Sequence, residues 1–150
     1  MIGLLQRVSA ARVSVDRHTV GAIDCGLLVL VGVESGDTAT EMERLIERLL
    51  DYRVFADADG RMNLSVRQTQ GGLLLVPQFT LAADTRKGLR PGFSGAADPD
   101  TGRKLFDSLV ARARVLHPRV AQGKFGAHME VTLTNDGPVT FWLQCKPQQA

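Results

Sequence analysis

The chain has 150 residues, of which 44% are apolar and 23% charged, with 18 Lys and Arg against 16 Asp and Glu. This is the profile of one folded domain, large enough to bury roughly two-thirds of its chain surface without disulfides or a structural metal, and it excludes a disordered chain. A net charge of +2 is too near neutral to mark a nucleic-acid coat by composition.

The longest apolar stretch, Gly26 to Val33, is far short of the roughly 18 residues a membrane-spanning helix needs, so no membrane partner is expected. Met1 to Arg7 lacks the basic start, long apolar middle and cleavage site of a secretory signal, so the expected location is cytoplasmic. Cys25 and Cys145 are lone and far apart in the sequence, which fits reduced, buried spectator thiols better than a disulfide framework or a zinc site.

Alternating apolar positions predict strands over residues 2–8 and 12–16, then 20–24 and 26–33. Met42, Leu45, Ile46, Leu49 and Leu50 change to helical spacing, and Thr38-Ala39-Thr40-Glu41 offers a capping box for an amphipathic helix over 38–52. Asp59-Gly60 marks a tight turn. Gly71 to Val76 reads as a strand buried on both faces, ending at Pro77-Gln78-Phe79-Thr80. Residues 82–97, with Arg86, Lys87 and Arg90, form a long basic loop of the kind that often carries function.

Asp98-Pro99 is a helix start, followed by an apolar face of Leu105, Phe106, Leu109, Val110 and Ala113, with Pro118 as the stop. Met129–Thr134 and Val139–Gln144 read as two strands joined by Asn135-Asp136-Gly137-Pro138. Residues 1–145 are expected to form the domain and 146–150 a frayed tail. The pattern is α+β, with a strand-dominated core and two main helices.

Familiar catalytic signatures are mostly missing. Neither G-x-G-x-x-G nor a P-loop occurs. His128-Met129-Glu130 has the H-x-E of a zinc deaminase but no C-x-x-C follows, so no metal and no cofactor is expected. Asp57-Ala58-Asp59-Gly60 lacks the later acidic positions of a calcium loop and reads as a hairpin turn. Gly92-Phe93-Ser94-Gly95-Ala96 misses the last glycine of a nucleophile elbow, and His18, His117 and His128 have no neighbouring nucleophile. His117 falls where a helix ends, and a cation there complements the terminal carbonyls.

Two segments stay open in meaning. Gln78 and Thr80 emerge at the end of a buried strand, either facing a cleft or simply terminating it. Asn135-Asp136-Gly137-Pro138 is a trans Gly-Pro hairpin turn by base rate, since about one X-Pro bond in twenty is cis.

Taken together, the chain resembles the D-aminoacyl-tRNA deacylase family. The resemblance runs through Ile2 to Val8, Tyr52-Arg53-Val54-Phe55, Met62-Asn63-Leu64, Gln78-Phe79-Thr80-Leu81-Ala82-Ala83-Asp84-Thr85, Arg90-Pro91 and Asn135-Asp136-Gly137-Pro138-Val139-Thr140-Phe141-Trp142. It implies a β-barrel-like, mostly antiparallel core, a homodimer, and the 3′ end of aminoacyl-tRNA as partner, with no DNA expected. It further implies that Gly137-Pro138 is cis and enters the partner subunit's site, rejecting L-amino acids by collision. Arg7 would orient that element, or stand as an ordinary surface arginine.

Gln78, Phe79 and Thr80 match the family's site-forming motif, in which backbone N–H groups and the Thr hydroxyl surround the ester. No base is legible to activate Thr80 as a nucleophile. The resemblance instead implies water attack assisted by the terminal adenosine's 2′-hydroxyl. Glycyl-tRNA, with no side chain to reject, would be cleaved as well. Phe125 and Met129 match positions near the adenine, and core packing is the alternative. Position 77 departs from the pattern: Pro77 stands where the family usually has Ser, which removes a hydroxyl and an N–H from a position otherwise near the substrate. Gly92 likewise stands where Ser is frequent.

Overall fold

A computed structural model describes residues 1–149; residue 150, the last of the expected tail, lies outside the described residues. Strand β1 (Ile2–Val15) is continuous, not two strands, because it is paired along its length. β8 (Glu130–Gln144) runs antiparallel along one edge. The other edge takes β3 (Gly26–Gly32) over Ile2–Val8 and β2 (His18–Ile23) over Ala11–Val15. At Ser9-Ala10, where one edge passes from β3 to β2, only β8 carries the strand through, with Ala10 opposite Thr134 and Ser9 bulged out of register.

The sheet is mixed. β3 pairs in parallel with β6 (Gly72–Pro77), and β6 in parallel with β7 (Val120–Gln122), a short strand without a legible sequence signal. The order β2-β1-β3-β6-β7 bends until its ends meet, giving a nearly closed barrel. At the seam, Gly21 lies against the main chain of Gln122, where a Cβ would have no room.

β3 and β6 are buried on both faces, which explains their continuous apolar run. Leu27, Val29, Val31, Leu73 and Leu75 face a layer of two helices, α1 (Ala39–Asp51) and α3 (Pro99–Leu116). Leu28, Leu74 and Val76 point the other way, into the barrel with Val8, Ala11 and Val13. Thr38 and Glu41 form the predicted capping box on α1, and Asp98 caps α3 with Pro99 in its first turn. The four-residue helix α2 (Val66–Thr69), capped by Ser65, is too short to announce itself by periodicity.

Asp57-Ala58-Asp59-Gly60 is indeed a hairpin turn, between β4 (Phe55–Ala56) and β5 (Met62–Leu64), with Asp57 Oδ1 accepting from the N–H of Asp59 and Arg61. His117 is the C-cap of α3, at the helix end where the sequence places it, with its N–H donating to the Ala113 carbonyl. It is buried, with Nε2 2.6 Å from the Gly71 carbonyl, tying the end of α3 to the start of β6. Cys145 is buried as expected; Cys25 is exposed, at the turn between β2 and β3.

The expected hairpin turn at 135–138 is also absent. β8 passes straight through it, with Gln6 opposite Thr140 and Val8 opposite Asn135, so Asp136–Val139 bulge out opposite Arg7 alone. The Gly137–Pro138 peptide is cis. Among the described residues β8 pairs with β1 only, which leaves its outer edge free, with Phe141 and Trp142 exposed on the strand.

Candidate active site

β6 and β3 end together. The Gln78 N–H donates to the Val31 carbonyl (2.7 Å), holding Gln78 at the sheet end, and the chain then tightens into a 3₁₀ turn over Phe79–Ala82. The first N–H groups of such a turn have no carbonyl within it to bond. Gln78 Nε2 donates to Thr80 Oγ1, and no acid, His or Lys is hydrogen-bonded to that hydroxyl among the described residues.

Beside this turn opens a cavity of about 480 Å³, within the range of small-ligand sites. Its floor is the end of the sheet, Val31, Val33, Val76 and Pro77, with Gln78 and Phe79 at the rim. The first turn of α3 (Asp98, Pro99, Gly102) forms one wall, and the segment from Phe125 to Met129 the other. Asp98 is occupied as a cap, accepting from the Thr101 N–H at 2.9 Å, and that bond holds its carboxyl below the usual range.

Phe125 is fixed from two sides. The Arg103 guanidinium lies 4.9 Å from its ring centre and Phe106 packs at 6.4 Å. Met129 is held by its sulfur, which accepts from the Lys124 N–H at 3.4 Å. An aromatic ring and a thioether therefore face one apolar space. Among the described residues no group of three or more His, Cys, Asp or Glu is placed to hold a metal ion.

Of the residues expected at the site, Pro77, Gln78, Phe79, Phe125 and Met129 line this cavity. Thr80 is exposed next to it, bonded to Gln78. Arg7, Gly137 and Pro138 do not line it; they form a second cluster on the bulge. Arg7 Nε bonds the Asp136 carbonyl (3.0 Å) and its carboxylate (3.1 Å), while Nη1 donates to the Val54 carbonyl.

Sequence reasoning missed the clamp beneath. Asn135 Nδ2 donates to the carbonyls of both Arg7 (2.9 Å) and Val139 (3.1 Å), bracketing the bulge. A Cβ on Gly137 would collide with Asn135 Oδ1, so a larger residue here would have to displace the Asn135 clamp. Buried Val139 anchors the far side. His128, Phe106 and the first turn of α3 are further cavity residues; the sequence marked a helix start and an apolar face there but nothing that pointed to a cavity, since only folding brings them to the end of β6.

A family model described as D-Tyr-tRNA(Tyr) deacylase matches residues 4–144. A relative from Thioalkalivibrio sulfidiphilus named D-aminoacyl-tRNA deacylase is 63% identical over 147 residues, covering 98% of this chain and 99% of the relative. A solved structure named "c-Myc DNA Unwinding Element Binding Protein" superposes with a TM-score of 0.93 at 35% identity, covering 98% of this chain and 100% of its own. Another, named "Structural Analysis of a probable eukaryotic D-amino acid tRNA deacylase", has a TM-score of 0.82 at 17% identity, covering 96% and 98%, and shares the fold.

Proposed function

We propose, since this chain belongs to the D-Tyr-tRNA(Tyr) deacylase family, that it hydrolyses the ester joining a D-amino acid to the 3′ end of tRNA. The carrying observation is the apolar cavity at the end of β6, with Gln78 and Phe79 at its rim and Phe125 and Met129 on its wall. The terminal adenine lies against Phe125 and Met129, and the ester carbonyl at the start of the 3₁₀ turn, where N–H groups stabilise the developing oxyanion. Water adds to that carbonyl, assisted by the adenosine 2′-hydroxyl. The C–O bond to the ribose then breaks, and the ribose 3′-oxygen leaves with a proton, freeing the amino acid. Absence of any base at Thr80 supports a positioning role for its hydroxyl.

Chirality is set by the bulge of a second copy. In this reading the Gly137 and Pro138 carbonyls, stiffened by Arg7 and Asn135, reach the partner's cavity and collide with an L side chain. A D side chain points away, and glycine has nothing to reject. The free edge of β8 and the position of the bulge outside its own cavity support a homodimer. Pro77 offers neither the hydroxyl nor the N–H of a serine, so no contact of that kind belongs to the site. Aminoacyl-tRNA is the substrate, which sets the work in the cytoplasm; no helix among the described residues is long and apolar enough to cross a membrane.

A second reading, a nucleic-acid-binding module without hydrolysis, draws on the 35% identical structure, whose name is that of a DNA-element-binding protein, and on the basic loop. Incubation of the pure protein with D-aminoacyl-tRNA separates the two. Release of free D-amino acid and intact tRNA is expected; bound RNA with its ester intact would favour the module.

A further inference from the structure

The basic loop between the 3₁₀ turn and α3 has a defined shape. Asp84 and Gly92 exchange main-chain hydrogen bonds (2.7 and 3.0 Å), pinching off a tip that carries Arg86, Lys87 and Arg90. Arg86 is taken up by Asp84 through a forked ion pair, at 2.9 and 2.8 Å. Lys87 and Arg90 have no acidic partner within 4 Å among the described residues. Immediately after the pinch, Phe93 packs on Phe79, with ring centres 5.2 Å apart and planes inclined by 52°. Phe79 stays 58% exposed and Phe93 44% exposed, unusual for a touching aromatic pair.

Exposed rings beside unpaired cations are the composition of a single-strand nucleic-acid platform, in which bases stack on the aromatics and phosphates meet the charges. Because Phe79 also lines the cavity, the platform begins where the terminal adenosine would leave it. We propose that Phe93, with Lys87 and Arg90, holds the unpaired nucleotides just upstream of the terminal adenosine of the acceptor end. This rests on the deacylase reading of the cavity and adds an RNA-binding surface to it. Arg86 takes no part, since Asp84 already neutralises it.

The test compares three substrates carrying the same D-amino acid: aminoacyl-adenosine, an aminoacylated tetranucleotide ending in CCA, and the full aminoacyl-tRNA. Phe93→Ala is expected to lower kcat/KM roughly tenfold on the two longer substrates, the loss of one base stack, and to leave aminoacyl-adenosine at the wild-type rate. Lys87→Ala with Arg90→Ala should do the same and flatten the salt dependence on the tetranucleotide by about 0.7 in log–log slope per cation removed. Equal loss on aminoacyl-adenosine, no loss on any substrate, or loss confined to the full tRNA would each overturn the platform. So would a change in sedimentation of Phe93→Ala, which would assign the ring pair to a protein interface. A wild-type protein inactive on all three substrates overturns the deacylase reading itself.

Discussion

Thr80 has a hydroxyl next to the cavity, yet its one hydrogen bond among the described residues comes from an amide, which cannot take its proton. A covalent nucleophile in that position would lack the base that makes such residues work. Thr80→Ala is therefore expected to retain activity within about tenfold of wild type, whereas loss of a true nucleophile costs factors of roughly a million. Initial rates on D-aminoacyl-tRNA decide it, and a dead but folded variant would restore Thr80 as nucleophile. Arg7 shows the opposite case, a residue whose role depends on its fork. Its Nε engages Asp136 while Nη1 reaches Val54, a span that the single point charge of a lysine does not reproduce.

At the scale of elements, the capping box of α1 illustrates how charge is tied to helix position. The Thr38 hydroxyl and N–H both bond Glu41 Oε2, at 2.7 and 2.8 Å, and hold its carboxyl below the ordinary value of 4.5. The folded state thus binds this proton less tightly than the unfolded chain. Its contribution is present above pH 4.5 and is lost as the pH falls through the lower folded value. Glu41→Gln should cost about 0.5–1 kcal/mol at pH 7, read by urea denaturation, with the difference shrinking below pH 4. An undiminished difference at pH 3 would mean that the charge is not what Glu41 contributes. Elements of this kind were legible in the sequence because their signals are local: Thr38 to Glu41, Asp98-Pro99, and the unbroken apolar run into Val76. β7 was not legible, because three partly buried residues beside β6 have no period of their own. The segment at 135–138 misled for a related reason. Asn135 to Pro138 has turn residues in a turn-like order, and only pairing of both flanks with β1 makes it a bulge.

Across the whole molecule, the residues expected at one site divide into two clusters, the cavity at the end of β6 and the bulge braced by Arg7 and Asn135. Spacing along the chain does not show how far apart the two sets lie within one copy; the family resemblance implied a division, by assigning Gly137-Pro138 to the partner subunit's site. If the second cluster completes the cavity of another copy, activity per chain should fall when dilution dissociates the dimer, in step with sedimentation. A monomer of full specific activity would contradict a shared site. Selection by handedness is tested most directly by giving the pure protein one tRNA charged in parallel with the D and the L form of the same amino acid. Hydrolysis of the D ester far faster than the L ester, with glycyl-tRNA also cleaved, is the expected result; equal rates for the two enantiomers would contradict it.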